Sequence, residues 1–303
     1  MAADAPDGPD HGSGINDLLG PRWVRTIRAA VRLTLYLLFT AALIPVQALA
    51  LWVKSPLRER IPPFYHRCCC RLWGLHVEVK GGLAADRPLL LVSNHTSYLD
   101  IPVLSTIGGV SFIAKSEVAK WPFFGLLAKL QRTVFVDRRR SSTARQRDAI
   151  GDRLASGSRL ILFAEGTSSD GNRVLPFKSA LFSVAERSAD EEPLMLQPLS
   201  IAFTHLNGIP IGHALRPFYA WYGDMDLAGH LWTFAGLGQT RVEVRLMNPV
   251  RADAFASRRE LSRYMFHEVQ NAVAASLTGR ESGLTEPKPA LGSAATAAGA
   301  AAS

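Results

Sequence analysis

The chain has 303 residues, 48% of them hydrophobic, and a formal net charge of +8 at pH 7. This length suffices for one domain with a sizeable core, and the excess of Lys and Arg indicates an anionic partner, either a lipid surface or a nucleic acid. Zinc-finger spacings, aromatic-rich RNA-binding motifs and basic heptad segments are absent from the sequence, so we expect a lipid partner and no nucleic acid.

The N-terminal region is predicted to anchor the chain to a membrane. Residues 1–14 are rich in Gly, Pro, Asp and Ala and should be disordered, and residues 15–75 form the predicted anchoring segment. Within it, the apolar stretch from Leu33 to Val53 is long enough to cross a bilayer at about 1.5 Å per helical residue. Basic residues flank both ends and Pro45 interrupts the stretch. A spanning helix and an interfacial hairpin with both flanks in the cytoplasm therefore remain equal alternatives.

Two features of this region bear on the cellular compartment. The cysteines are consecutive, at positions 68–70, a spacing that allows no disulfide framework or metal site and suggests a reducing compartment. A small-residue triplet at 48–50 fits a signal-peptide cleavage site, but the apolar run continues past it to Val53. We expect a cytoplasmic (inner) membrane protein whose main domain lies on the cytoplasmic side.

The rest of the chain alternates between predicted strands and helices. Strands are expected at residues 77–79, 89–92, 110–114, 133–136, 160–163, 196–203, 214–221 and 241–247, and helices at 121–130, 142–155, 176–187 and 258–275. This alternation predicts an α/β fold with a layered, mostly parallel sheet and flanking helices. Residues 281–303, rich in Ala, Ser, Gly and Thr, should be a disordered tail, which leaves residues 76–280 as one domain.

A histidine and a carboxylate follow the second predicted strand. The motif Asn-His-x4-Asp at residues 94–100 comes directly after an apolar run. A neutral imidazole takes a proton from a hydroxyl group, and a carboxylate in hydrogen-bonding reach fixes its tautomer and stabilises the imidazolium. His95 and Asp100 are therefore a candidate base and its orienting partner. The pattern Ser97-x-x-Asp100 is also a capping box, which would make Asp100 a structural residue at a helix start.

Polar residues follow three more predicted strands. Arg138 comes shortly after the strand at 133–136, Glu165-Gly166-Thr167 follows the strand at 160–163, and a fourth strand, at 196–203, contains Pro198. Ligand crevices of parallel sheets lie beyond the carboxyl ends of the strands, so His95, Arg138 and Glu165 can share one face.

In this order the four segments resemble the sequence blocks of the glycerolipid acyltransferase family, which includes lysophosphatidate acyltransferases. The resemblance spans about Val77 to Val250. The chain departs from the family pattern at Ala164, where proline is usual, and at Ser168, where an arginine is thought to help hold the acceptor's phosphate. The segments 166–181 and 221–227 resemble a subgroup that includes bacterial lyso-ornithine lipid acyltransferases, and ornithine lipid carries no phosphate.

The resemblance implies a membrane-bound lysolipid O-acyltransferase that acts on lysophosphatidate, lyso-ornithine lipid or both. His95, oriented by Asp100, would deprotonate the lysolipid hydroxyl, which attacks acyl-CoA or acyl carrier protein (acyl-ACP) directly, without an acyl-enzyme. The thioester is then a co-substrate, and no bound cofactor or metal is expected. The acceptor-binding residues implied are Asn94, Arg138, Glu165, Gly166, Thr167 and Ser168. Arg173 and Lys178, or Arg138 with Arg139 and Arg140, could supply the charge of the missing arginine, and each of these cations could equally be a solvated surface residue.

Three alternatives stay open on the sequence. A thioesterase would use the same His/Asp pair on water, and a non-catalytic membrane-surface protein would only bind lipid. The apolar segment 121–127 fits the core, the lining of a fatty-chain channel or a surface that dips into the membrane.

Overall fold

A computed structural model describes residues 19–136, 143–187 and 194–280 of the chain. The two predicted tails, residues 1–14 and 281–303, lie outside these ranges, as does Arg138. The proposed division into anchor, domain and tails stays a prediction.

The described residues build one nine-stranded sheet. In chain order its strands are β1 (Leu75–Lys80), β2 (Leu89–Ser93), β3 (Val110–Lys115), β4 (Val134–Val136), β5 (Arg159–Phe163), β6 (Met195–Leu206), β7 (Ile209–Pro210), β8 (Thr240–Leu246) and β9 (Val250–Arg251). The principal strands lie in the order β1-β8-β6-β2-β5-β3-β4, and the two short strands β7 and β9 pair with β6. From β6 to β4 all neighbours are parallel, whereas β8 is antiparallel to β6. The predicted α/β fold with a mostly parallel sheet is confirmed.

Helices cover both faces of the sheet. They are α1 (Arg22–Trp52), α2 (Leu57–Trp73), α3 (Asp100–Ser105), α4 (Phe124–Leu130), α5 (Thr143–Ala155), α6 (Leu227–Ala235) and α7 (Arg258–Thr278). Alternate residues of β2 belong to different core clusters, Leu89 and Leu91 to one, Leu90 and Val92 to the other. All five residues of β2 are buried, as a central strand covered on both faces requires.

The structure corrects several predicted elements. The strand prediction for residues 214–221 is wrong, because this segment contains the short 3₁₀ helix Arg216–Phe218 and Pro217 removes a backbone donor that a sheet needs. The helix predicted from Trp121 begins only at Phe124, since Phe123 has a φ of 62° and stands outside the helical region. The helix predicted over 176–187 is a 3₁₀ helix at Ser179–Arg187.

Helix α1 is longer than the predicted apolar stretch and packs along the domain. It includes arginines that precede the predicted apolar stretch: Arg28 donates to the Gly236 carbonyl at 3.0 Å and Arg32 to the Leu237 carbonyl at 2.7 Å. Near its other end, Gln47 donates to the Leu130 carbonyl at 3.0 Å. Both halves of α1 are therefore tied to the domain that carries the sheet.

Candidate active site

The loop after β2 brings His95 and Asp100 together. The strand ends at Ser93, the chain turns through residues 94–99, and α3 begins at Asp100 itself. The Nδ1 atom of His95 lies 2.8 Å from Oδ2 of Asp100. Asp100 is fully buried, whereas 23% of the His95 side-chain surface is exposed. The carboxylate is thus hidden behind an imidazole whose edge reaches the surface.

The hydrogen bonds of Asp100 fix the tautomer of His95. Its Oδ2 also accepts from the backbone N–H groups of Thr96 at 2.7 Å and Ser97 at 3.1 Å, and its Oδ1 accepts from the Thr96 hydroxyl at 2.9 Å. Backbone N–H groups only donate, so these oxygens act as acceptors and the proton between the two side chains belongs to Nδ1. The Nε2 atom of neutral His95 is left as a base. Only one half of the alternative capping box forms: Asp100 accepts from the Ser97 N–H, but the Ser97 hydroxyl accepts from the Leu99 N–H at 3.3 Å and not from the N–H of Asp100.

Aromatic stacking holds the plane of the His95 ring. The imidazole stacks on Phe163 with centroids 4.0 Å apart, and Phe163 stacks in turn on Phe112 at 6.0 Å. Phe163 ends β5 and stands opposite Ser93 of β2 in the parallel register. Sequence reasoning missed Phe163, although its place as the last residue of the neighbouring strand is the signal that marks it.

Glu165 is a positioning residue in this structure. Its Oε1 accepts from the His95 N–H at 2.7 Å and its Oε2 from the Leu175 N–H at 2.8 Å. Burial raises the pKa of this carboxyl to about 8, although the two N–H bonds act in the opposite direction. With both oxygens engaged by the backbone and the side chain buried, Glu165 ties the His95 loop to the segment that carries Leu175.

Asn94 also differs from its predicted role in acceptor binding. Its amide nitrogen donates to the Ile201 carbonyl at 3.0 Å, and its amide oxygen accepts from the Ile201 N–H at 2.9 Å. The side chain is buried and extends the pairing of β2 with β6 past the end of β2. Its polar atoms are therefore committed to the backbone, which corrects the prediction.

The loop of residues 165–175, which carries Gly166, Thr167, Ser168 and Arg173, lies against the His95 loop. The His95 carbonyl accepts from the Ser169 N–H at 2.8 Å. Gly166 has a φ of +67°, and a Cβ there would come within 3.0 Å of the Lys178 ammonium nitrogen, so Lys178 lies over this turn. Of the remaining predictions, Thr167, Arg173 and Lys178 are exposed, Ser168 is half-buried and Arg138 lies outside the described residues.

Comparison with known proteins identifies the family. A family model described as "Acyltransferase" matches residues 75–202. The chain is 46% identical over 262 residues to a lyso-ornithine lipid O-acyltransferase from Brucella abortus, which covers 85% of this chain and 98% of that protein. The chain belongs to the acyltransferase family. This result confirms the resemblance carried by the four sequence blocks.

Two further proteins resemble this acyltransferase along most of its length. A lyso-ornithine lipid O-acyltransferase from Rhizobium meliloti is 41% identical over 88% of this chain and 93% of its own. The crystal structure of the 1-acyl-sn-glycerophosphate (LPA) acyltransferase PlsC from Thermotoga maritima superposes with a TM-score of 0.62, covering 85% of this chain and 96% of that one at 22% identity. The structural similarity to PlsC establishes the fold.

The acyltransferase also contains an apolar cavity of about 230 Å³. It lies between the N-terminal helices and the domain, with Leu43 of α1, Ile61 of α2, Leu127 of α4 and Phe112 of β3 among its lining residues. Since Phe112 stacks on Phe163 and Phe163 on His95, the cavity approaches the imidazole to within two aromatic rings. Of the segment 121–127, Trp121, Phe124 and Leu127 line the cavity, and none of these three side chains belongs to the buried core.

Two of the three consecutive cysteines are buried. They lie on α2, and Cys69 and Cys70 are buried in the core. Burial raises the pKa of each of these two thiols to about 12, and thiols that are protonated at neutral pH are poor nucleophiles.

Proposed function

We propose that this acyltransferase esterifies the free hydroxyl of lyso-ornithine lipid with a fatty acyl group taken from acyl-ACP or acyl-CoA. The observation that carries the chemistry is the His95–Asp100 pair, with the basic Nε2 of His95 at a partly exposed edge. The acceptor is proposed from the names of the Brucella and Rhizobium relatives and from Ser168, which provides no positive charge for a phosphate.

The proposed reaction is a direct transfer. Nε2 of His95 accepts the proton of the acceptor hydroxyl while that oxygen attacks the thioester carbonyl carbon. The tetrahedral intermediate collapses, the C–S bond breaks, and the departing thiolate takes the proton from the imidazolium. Asp100 stabilises the imidazolium throughout and keeps Nδ1 protonated. No acyl-enzyme forms. The acyl thioester is a co-substrate that brings the activated acyl group, so the proposed reaction requires no bound cofactor.

The apolar cavity is the proposed site of the acyl chain. Its lining is almost entirely apolar and it begins two rings from His95. Burial of methylene groups is favourable by about 0.8 kcal/mol each, which gives a long chain ample binding energy. A chain held there would present its thioester carbonyl towards the imidazole.

Helices α1 and α2 are proposed to hold the enzyme on the membrane surface. Helix α1 is long and apolar enough to cross a membrane by length and composition, but both of its halves are bonded to the domain. These bonds favour a helix that lies in the interface over one that crosses the bilayer. A stripe of exposed apolar residues runs along α1: Trp23, Ile27, Val31, Leu35, Leu38, Val46, Leu49 and Trp52. We place this attachment at the cytoplasmic face of the inner membrane.

Acceptor competition tests the proposal. Purified enzyme in mixed micelles is given a labelled acyl donor with lyso-ornithine lipid and lysophosphatidate at equal concentrations. Labelled ornithine lipid should be the main product. Label in phosphatidate alone would contradict the proposed acceptor, and free fatty acid alone would identify a thioesterase.

The variant Ser168→Arg sharpens this test. An arginine supplies charge and a two-pronged donor for phosphate, so the ratio of kcat/KM values should shift towards lysophosphatidate by about tenfold or more. Ser168→Gln is the matched control, because it adds length without charge and should leave the ratio near that of the parent. An unchanged ratio in Ser168→Arg would mean that residue 168 does not face the acceptor headgroup.

A further inference from the structure

A small pocket lies beside the loop that carries His95. Its volume is about 20 Å³, and Thr96, Arg173 and Arg216 are among its lining residues. Thr96 directly follows His95 in the chain, so the pocket borders the site of the proposed reaction. The volume exceeds the roughly 10–15 Å³ that one water molecule needs. The pocket therefore admits a small polar group and not an acyl chain.

Backbone hydrogen bonds fasten the two segments that carry these arginines to the His95 loop. On one side, the Ser169 N–H donates to the His95 carbonyl at 2.8 Å, and the first lining arginine follows four residues later. On the other side, the Trp221 N–H donates to the Thr96 carbonyl at 2.9 Å, and the second lining arginine precedes it by five residues. Both cations are therefore held next to the turn that carries the base.

A chain of hydrogen bonds orients the guanidinium group of Arg216. Its Nη1 atom donates to Oδ1 of Asn172, and the amide nitrogen of Asn172 donates to Oδ2 of Asp170 at 3.0 Å. A guanidinium group has five N–H donors, and Asn172 accepts from one of its terminal nitrogens. Arg216 is half-buried, and burial lowers its pKa, although the charge of Asp170 opposes this shift. A cation that is oriented and partly removed from water is suited to bind an anion.

The charged side chains around this pocket carry a net positive charge. Burial acts to raise the pKa of Asp170, but hydrogen bonds from Asn172 and the charges of Arg173 and Arg216 together lower it, so this carboxyl group is ionised at neutral pH. Both of its oxygens accept from Asn172. Two guanidinium groups and one carboxylate sum to a charge of +1. This charge matches a single carboxylate better than the nearly double charge of a phosphate group.

We propose that Arg216 binds the carboxylate of the acceptor headgroup in this pocket and thereby selects an acidic lysolipid without a phosphate. The inference rests on the proposed function, because it takes lyso-ornithine lipid as the acceptor. Ornithine is an amino acid, so its lipid offers a carboxylate once an amino group is acylated. Hydrogen bonds between a guanidinium group and a carboxylate are strong because both partners are charged. An enzyme with Ser168 can in this way still recognise an anionic headgroup.

The direct test compares lyso-ornithine lipid with its carboxamide, which has nearly the same shape but no negative charge at this position. The full-length enzyme in mixed micelles is assayed with each acceptor and the same acyl thioester. The readout is the ratio of the two acceptor kcat/KM values. The parent should prefer the carboxylate by about tenfold or more.

Variants assign this preference to Arg216. Arg216→Gln removes the charge and should bring the ratio towards one, whereas Arg216→Lys keeps the charge and should retain part of the preference. Arg251→Gln is the matched control: Arg251 also pairs with an aspartate, Asp253, but it lies at the amino end of β6, and its ratio should equal that of the parent. Because each ratio is measured within one preparation, a partial loss of folded enzyme does not affect it.

The outcomes separate this inference from the proposed function. Equal kcat/KM values of the parent for the carboxylate and the carboxamide would overturn the inference alone, because ornithine lipid is still formed. If Arg216→Gln weakened both acceptors alike and kept the parent ratio, Arg216 would have a purely structural role, and the inference would also be overturned. Failure of the parent to acylate either acceptor would overturn the inference together with the proposed function.

Discussion

The carboxylate of Asp100 holds the His95 ring and the turn behind it with a single oxygen atom. Oδ2 accepts from Nδ1 of His95 and from the N–H groups of Thr96 and Ser97. The loop and the base are therefore positioned by one buried group. A substitution at Asp100 should disturb both the tautomer of His95 and the start of α3.

Glu165 should make the stability of the enzyme depend on pH. Burial raises the pKa of its carboxyl from 4.5 to about 8 in the folded protein. Between these values the folded state holds a proton that the unfolded chain has lost. The stabilisation is complete below about pH 4.5 and is lost as the pH rises through about 8, so this group makes the free energy of unfolding fall with increasing pH.

The pH dependence is measured by urea unfolding at several pH values between 5 and 8. Glu165→Gln should flatten the decline in unfolding free energy across this range, even though the variant is less stable overall because one backbone N–H loses its acceptor. Glu117→Gln, which removes an exposed carboxyl group, is the control. A decline as steep in Glu165→Gln as in the parent would contradict the assignment.

Asn94→Ala tests the structural role of this residue. The substitution leaves the N–H and carbonyl of Ile201 without their partners, so the free energy of unfolding should fall by about 1–3 kcal/mol. Denaturant unfolding gives this quantity, and steady-state assays of the remaining enzyme give the acceptor KM. An increased acceptor KM at unchanged stability would restore the predicted role in acceptor binding.

The sequence predicts a hydrogen-bonded pair of side chains where the two residues are close along the chain. His95 and Asp100 are five positions apart, so one turn joins them. The partners of Asn94 and Glu165, Ile201 and Leu175, are held by a distant strand and a loop. No local pattern reveals which backbone groups face a polar side chain after the strands have paired.

At the scale of elements, α1 and α2 combine attachment to the domain with an exposed apolar surface. Leu35→Glu with Leu38→Glu places two charges in the stripe of α1 while sparing its contacts with the domain. Each leucine contributes up to about 1.5–3 kcal/mol when transferred from water, so binding to anionic lipid vesicles should weaken by about tenfold or more.

Co-sedimentation with vesicles measures this loss. Val79→Glu is the matched control, because Val79 is 46% exposed and Leu35 48% exposed, but Val79 lies on the edge strand β1. The control should bind like the parent. Equal weakening by both would show that general charge, and not the α1 surface, governs attachment.

Secondary-structure predictions were correct where an apolar run in the sequence also forms the backbone hydrogen bonds of a strand. Strand β2 was found as an unbroken apolar run and proved to be buried on both faces. Residues 214–221 have a similar apolar content, and Tyr219 and Ala220 are indeed buried. A buried segment that lacks a ladder of backbone hydrogen bonds is not a strand, however. Pro217 cannot donate to such a ladder and therefore argues against a strand here.

At the scale of the whole molecule, strand order is what assembles the site. Strand β2 lies between β5 and β6, so the His95 loop receives Phe163 and Glu165 from one side and the Ile201 backbone from the other. Alternating strands and helices predicted the fold class, but several strand orders satisfy the same alternation. The antiparallel placement of β8 and the cavity under α1 and α2 depend on long-range packing that periodicity does not encode.

Transfer of label by enzyme with and without His95 tests the central claim most directly. Purified parent and His95→Ala are given a labelled acyl thioester with lyso-ornithine lipid, and both lipid and acid-quenched protein are analysed. His76→Ala is the control, because His76 is an exposed histidine on strand β1. The parent and His76→Ala should label ornithine lipid equally, His95→Ala should lower kcat by about 10²–10⁴-fold, and no protein should carry label. Full turnover by His95→Ala, or an acyl group covalently bound to the protein, would contradict direct transfer by a His95 base.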